Sequence, residues 1–257
     1  MSLYNGNSTT TRHNEHDSSS SNNNENDDDD NDENDFFPWS EWLDAAQAIV
    51  DQDPVPNIPK PPVALNEWLY LSPMYSVLGS VEDLGITHVL STNRMPPKVL
   101  EDWYWKLKSL GIDHYSIPAN DFLGYDLLSN HWEECRDFIQ RAREEEEEEE
   151  EQEDEEEEEE ASIAATTTTE TKTKKNKKTK ILVHCAAGMN RSGTIAAAAL
   201  LYFEGQDTKN ATTLLEVVRR LKASRGYVLN NKSFLKQLVR FAAEHDKLGP
   251  LPSSSIH

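Results

Sequence analysis

The chain has 257 residues, 36% of them hydrophobic, and a formal net charge of −22. That charge sits in two stretches: residues 1–35 hold ten Asp/Glu and one Arg, residues 144–180 seventeen Asp/Glu and six Lys, leaving a nearly balanced 20 acids and 18 bases. The balance argues against the broad basic surface that nucleic acid favours, no apolar run approaches the roughly 18–20 residues of a membrane span, and the N-terminus lacks a signal-peptide pattern.

Residues 1–35 are Asn, Ser, Asp and Glu with almost no apolar content, so burial cannot offset ordering entropy and a disordered acidic tail is expected. Phe36 to Val50 reads as a short helix capped by Ser40, with Trp42, Ala45, Ala46 and Ile49 on one face. Its aromatic cluster, Phe36, Phe37, Trp39 and Trp42, suits packing on the domain surface or, alternatively, partner docking through residues 36–50. A proline-rich linker from Pro54 to Pro62 leads to the main domain, residues 63–246.

Trp68–Leu71 reads as a strand and Met74–Leu84 as a helix closed by Gly85; Ile86–Ser91 is a buried strand. A helix around Val99–Leu110 precedes a strand at His114–Ile117. Leu127–Arg143 is a helix with Trp132, Cys135, Phe138 and Ile139 on its apolar face, which makes Cys135 a plain buried cysteine rather than a redox partner. Residues 144–179 are a low-complexity insertion: acidic at every position but Gln152 up to residue 160, then rich in Thr and Lys. Connections of this kind usually need about a dozen residues or fewer, so a loop disordered in its middle is expected, with the first glutamates extending the helix before it. Partner docking through this insertion is a further expectation. Lys180–Val183 is the central strand, followed by helices at Gly193–Phe203, Thr212–Ala223 and Lys232–Glu244, and by a flexible tail, residues 247–257. Strands interleaved with helices predict an α/β domain around a mainly parallel sheet flanked by helices. In such sheets ligands sit beyond the carboxyl ends of the strands.

Cys185 lies at one of those ends. Ile181 to Thr194 is an apolar strand, a tight loop and the start of an alanine-rich helix, and backbone N–H groups in such a loop face the positive end of the helix dipole. The loop suits a phosphate, and the same field holds a cysteine as thiolate. On this reading the Cys185 sulfur attacks phosphorus, N–H groups of Ala186, Ala187, Gly188, Met189, Asn190 and Arg191 bind the oxygens, and the Arg191 guanidinium grips two of them. Gly188 permits a conformation that a Cβ would hinder. His184 orders the loop by hydrogen bonding, and Ser192 can bond the sulfur when it departs. Asp121, after the strand His114–Ile117, is the expected general acid; Asp126, five residues on, is read as the cap of the next helix. The histidines show no metal-ligand spacing and no nucleotide-binding glycine loop is present, so neither metal nor cofactor is expected. With two cysteines, Cys135 and Cys185, a disulfide framework is implausible and a reducing compartment, cytosol or nucleus, is expected.

His184-Cys185-Ala-Ala-Gly188-Met-Asn-Arg191-Ser192 matches the H-C-x-x-G-x-x-R-S/T signature of cysteine-dependent protein phosphatases, and the chain from about Asn66 to Ala243, insertion apart, resembles their dual-specificity branch, atypical type. The resemblance includes Trp68-Leu-Tyr-Leu-Ser, Gly85-Ile-Thr-His-Val-Leu, Ala119-Asn-Asp121 and the stretch Arg225–Leu238 with Phe234 and Gln237. It implies the cysteine-phosphatase fold, a phosphocysteine intermediate, and a phosphoprotein substrate carrying phosphotyrosine, phosphoserine or phosphothreonine. It also assigns the general acid to Asp121. The uncharged Ala186, Ala187, Met189 and Asn190 make a heavily phosphorylated inositol headgroup a poor match. Alternatives are a non-protein substrate (an RNA 5′ end, a phosphoglucan, an inositol lipid) and a non-catalytic phosphoprotein-binding scaffold.

Overall fold

The structure is a computed structural model that describes residues 37–54, 60–163, 178–204 and 212–251. The tail 1–35, the insertion's segment 164–177 and residues 252–257 lie outside the described residues. All the elements belong to one unit, Pro38–His257.

Five strands form one sheet: β1 (Val63–Ala64), β2 (Leu69–Pro73), β3 (His88–Ser91), β4 (Asp113–Ser116) and β5 (Ile181–Cys185), in the order β1-β2-β5-β3-β4. Only β1 runs antiparallel to its neighbour; β2, β5, β3 and β4 are mutually parallel, as the alternation of strands and helices predicts. β5 lies in the middle with all five residues buried, which explains its unbroken apolar run. β1 escaped the sequence reading because two residues are too few to show a period.

One face carries α6 (Arg191–Phe203) with α5 (Leu127–Ile163), α7 (Leu214–Arg225), α8 (Lys232–Glu244) and α1 (Ser40–Val50) around it. From Ser192 to Leu201 every residue of α6 is buried, and the small side chains of Ala196–Ala199 let a helix lie between sheet and outer helices. The other face is covered by α2 (Met74–Val77), α3 (Val81–Leu84) and α4 (Pro97–Ser109), where Val77, Val81, Trp103 and Leu107 meet Val89 and Leu182 of the sheet.

Several boundaries differ from expectation. Met74–Leu84 is two short helices, because Gly79 is a poor helix former and Ser80 bonds back through its amide to Val77 O and its hydroxyl to Ser76 O. Gly85 does close α3, at φ 66. Trp39, not Ser40, holds the N-cap position of α1, and no side chain caps that end. The helix begun at Leu127 continues past Arg143 into the glutamates, as expected, but reaches as far as Ile163; glutamate is a good helix former, and extending a packed nucleus avoids the cost of starting one. Where the insertion returns, the Thr179 hydroxyl donates to Ala142 O at 3.0 Å. Residues 247–249, expected to be free, are tied in: Leu214 N donates to Lys247 O at 2.8 Å and Trp42 Nε1 to Gly249 O at 3.1 Å. α1 packs on α7 and α8 through Ala46, Ile49 and Val50, and the buried Lys222 donates to Val50 O at 2.6 Å.

A polar chain crosses the carboxyl ends of β5, β3 and β4 on the α4 face. The buried Ser91 hydroxyl lies 2.6 Å from His184 Nε2 and 2.7 Å from His114 Nε2, and the Trp103 ring stands 5.1 Å from that of His184. Burial is the main cause that lowers His184 to about 3 and His114 to about 4, from an ordinary 6.5. Both imidazoles are therefore neutral near pH 7. An unfolded chain takes up these protons near pH 6.5 and the folded one does not, so stability falls as pH drops from there toward 4 and below. Thermal unfolding from pH 7 to pH 4 should show this acid destabilisation, and His114→Phe should flatten it; an unchanged slope in that variant would contradict a buried neutral His114.

Candidate active site

The loop between β5 and α6 starts at Cys185 and ends where Arg191 opens the helix. Cys185 is 1% exposed, and its Sγ accepts two hydrogen bonds at 3.2 Å, from Gly188 N and from the Ser192 hydroxyl. Both donors suit a sulfur that carries negative charge. The loop folds back at Gly188, whose φ is 65. A Cβ there would lie 2.5 Å from Pro73 N and from Ser72 C, so neither the conformation nor the space admits a side chain.

The loop carbonyls are held from outside. Arg225, at the end of α7, donates from Nε to Gly188 O at 3.2 Å and from a terminal nitrogen to Ala187 O at 2.9 Å. Leu229 N donates to Met189 O at 3.3 Å, with Leu229 at φ 59, a costly conformation for a branched aliphatic residue that its full burial enforces. With these carbonyls turned outward, the intervening amides turn in. One expected amide differs. Ala186 N donates to Asn93 Oδ1 at 2.9 Å, so in this arrangement it is occupied by a side chain just beyond β3.

His184 points away from the mouth into the polar chain with Ser91, while its carbonyl accepts from Thr92 N at 2.8 Å and the Thr92 hydroxyl at 2.9 Å. The residue therefore fixes the end of β5.

Asp121 lies across the mouth. Its Oδ2 is 3.4 Å from Arg191 Nε, and its Oδ1 accepts from Asn190 Nδ2 and Asn231 Nδ2, each at 3.2 Å. Arg191 also donates to Ala119 O at 3.2 Å, and its side chain is 13% exposed against 28% for Asp121. Asn190 completes the junction: its Oδ1 accepts from the backbone of Asn230 and Asn231. Asp126 sits instead at the start of α5, where Oδ1 accepts from Ser129 N at 3.4 Å, the capping role expected of it. Gln237 holds that turn by accepting from Leu127 N and Leu128 N and donating to Tyr125 O.

Cys135 is fully buried on α5, its thiol pushed up chiefly by burial and further by Glu134; no disulfide joins the two cysteines. Among the described residues, His88, Asp113 and Glu145 bring three potential metal-ligand atoms within 4.8 Å, at the opposite ends of β3 and β4 from Cys185. The groups gathered at the cysteine loop are amides, the Ser192 hydroxyl and the Arg191 guanidinium. No helix among the described residues is long and apolar enough to cross a membrane.

The structure brings the expected Cys185, Gly188, Arg191, Ser192 and Asp121 together, and adds Asn93, Arg225, Ser91, His114 and Asn231 as supports that the sequence did not single out. Asn231 was legible as a helix cap, since its side chain accepts from Ser233 N and Phe234 N. Its reach to Asp121 has no linear signal.

A family profile described as "Dual specificity phosphatase, catalytic domain" matches residues 148–244, which include the cysteine loop and α6 to α8. Human dual specificity protein phosphatase 26 is 29% identical over 156 residues, 61% of this chain and 54% of that protein. The chain thus spans about half the length of that curated relative. Mouse dual specificity protein phosphatase 13B is 38% identical over 173 residues, 66% of this chain and 67% of that protein. Among solved structures, OH1 from the Orf virus, described as a tyrosine phosphatase, superposes with a TM-score of 0.50 at 18% identity, covering 79% of this chain and 96% of that one, a likeness of fold. By its identity to the mouse relative over two thirds of that protein, the chain belongs to the dual-specificity phosphatase family.

Proposed function

We propose that this chain is a protein phosphatase that hydrolyses phosphotyrosine and phosphoserine or phosphothreonine through a phosphocysteine intermediate. One observation carries the reading: Cys185 Sγ, with two converging donors, shares one loop with Arg191, and Arg191 lies 3.4 Å from the carboxylate of Asp121. Nucleophile, cation and acid belong to one mouth at the carboxyl end of the sheet.

In the first step the sulfur forms a bond to phosphorus as the bond from phosphorus to the leaving oxygen breaks. Amides of the loop from Ala187 to Arg191 and the Arg191 guanidinium hold the remaining oxygens. An arriving phosphoryl group competes for the guanidinium that now faces Asp121, releasing Oδ2 to carry the proton that the leaving oxygen takes. Water then attacks phosphorus, Asp121 accepts its proton, and the sulfur departs as thiolate with the Ser192 hydroxyl bonded to it. His184, neutral and turned toward Ser91, does not exchange protons with substrate in this scheme. Its part is to fix the strand end from which Cys185 projects.

Cys185→Ser should abolish hydrolysis of an aryl phosphate such as p-nitrophenyl phosphate. Asp121→Ala should lower kcat on a phosphoserine peptide by about 10²- to 10⁴-fold, while titration shows inorganic vanadate still bound. Asp126→Ala should lower stability by about 1 kcal/mol and keep turnover; a slow Asp126 variant beside an active Asp121 variant would transfer the acid's role. Gly188→Ala should cost both stability and hydrolysis, because a Cβ there meets backbone rather than a movable side chain.

A further inference from the structure

Chain segments that meet the cysteine loop carry exposed apolar side chains that the reaction does not use. Tyr75 is 81% exposed and follows Met74, whose amide faces Ala186 O at 3.4 Å. Phe122 and Leu123, 56% and 73% exposed, come directly after Asp121. Tyr227, 57% exposed, sits two residues before Leu229, whose amide donates to Met189 O. Three separate chain segments thus set large apolar side chains in water beside one phosphate-sized loop. Burial of these side chains in the core is no alternative explanation, since Leu229 and Val228 already fill it next to Tyr227.

The charge around them is selective. Segments 74–78, 121–126 and 226–231 contain no Lys or Arg, but they do contain Asp121 and Asp126; Lys222 Nζ, 5.9 Å from the Tyr227 ring, is spent on Val50 O. The guanidiniums at the loop are engaged: Arg225 on the carbonyls of Ala187 and Gly188, Arg191 on Asp121 and Ala119 O. An acidic residue beside the phosphorylated one would meet carboxylates there. An apolar one would cover surface that now faces water. A lipid surface is the weaker match, because an anionic leaflet attracts basic segments and these have none.

We propose that Tyr75, Phe122, Leu123 and Tyr227 form a specificity rim for phosphopeptide segments with aromatic or aliphatic residues next to the phosphorylated one, and that acidic neighbours are selected against. The proposal rests on the phosphatase reading above. The phosphoryl group fixes the peptide over Cys185, and the flanking side chains lie on the rim.

Three phosphotyrosine peptides of equal length, differing only in leucine, serine or glutamate at the positions on either side, test it with the full chain. The leucine peptide should exceed the glutamate peptide in kcat/KM by about tenfold, the scale of partly burying one or two apolar side chains. Tyr75→Ser, Leu123→Ser and Tyr227→Ser should each shrink that ratio. The same order should appear in the peptides' binding to Cys185→Ser, measured by fluorescence anisotropy without turnover. Equal values for the three peptides, or a preference for glutamate, overturn the rim. So does cosedimentation with phosphatidylcholine vesicles, with or without a phosphoinositide, through these residues while all peptides behave alike. Hydrolysis of p-nitrophenyl phosphate, which has no flanking residues, separates the two conclusions: a chain that turns it over but treats the peptides alike loses only the rim, and one that cannot turn it over loses the phosphatase reading as well.

Discussion

The backbone of Gly188 lies against that of Ser72 and Pro73 at a separation no side chain would permit, and the rest of the loop takes its shape from that contact. Because the chain turns there with φ at 65, the Gly188 amide comes round to the Cys185 sulfur, while the neighbouring carbonyls project toward Arg225. The partner surface is the end of β2, fixed by its parallel register with β5 from Leu69 opposite Ile181 to Pro73 opposite Cys185. The position of a reactive sulfur is thus set by strand pairing, not by the loop alone.

A second layer of support connects elements far apart in the chain. Asn190 and Asn231 both donate to Asp121, and Asn190 also accepts from the amides of Asn230 and Asn231. Through these amides the acid-bearing turn, the phosphate loop and the N-terminus of α8 form one junction. Val228 sits where a Cβ on Gly193 would come within 2.8 Å of it, so the approach to α8 is also packed onto the first turn of α6. Asp121 is the exposed tip of a supported turn.

Much of this was readable in the linear chain, for physical reasons. β5 and α6 announced themselves because a central strand must be apolar on both faces and a sandwiched helix must be small-sided. Cys185, Gly188, Arg191 and Ser192 fall within one turn of loop, so spacing alone places them together. Asp121 was placed by its turn after the strand His114–Ile117 together with the family resemblance, and the structure puts it beside Arg191. Arg225, Asn93 and Ser91 were not legible: each works through a side chain that crosses between elements 38, 93 and 93 positions apart in the chain, and no periodicity encodes such a crossing. The break at Gly79 and Ser80 was a local signal, overridden in the reading by the apolar pattern on either side.

The hydrogen bond from Thr179 to Ala142 O draws the start of β5 against α5, close to where the acidic segment begins. α5 runs on past Glu145, whose carboxylate still lies 3.5 Å from His88 Nε2, and the chain re-enters the domain at the foot of β5, so the strand order has no stake in what lies between. That makes the position a natural grafting port: the intervening sequence can be lengthened, trimmed or exchanged for another module during evolution, and the catalytic scaffold inherits none of the change.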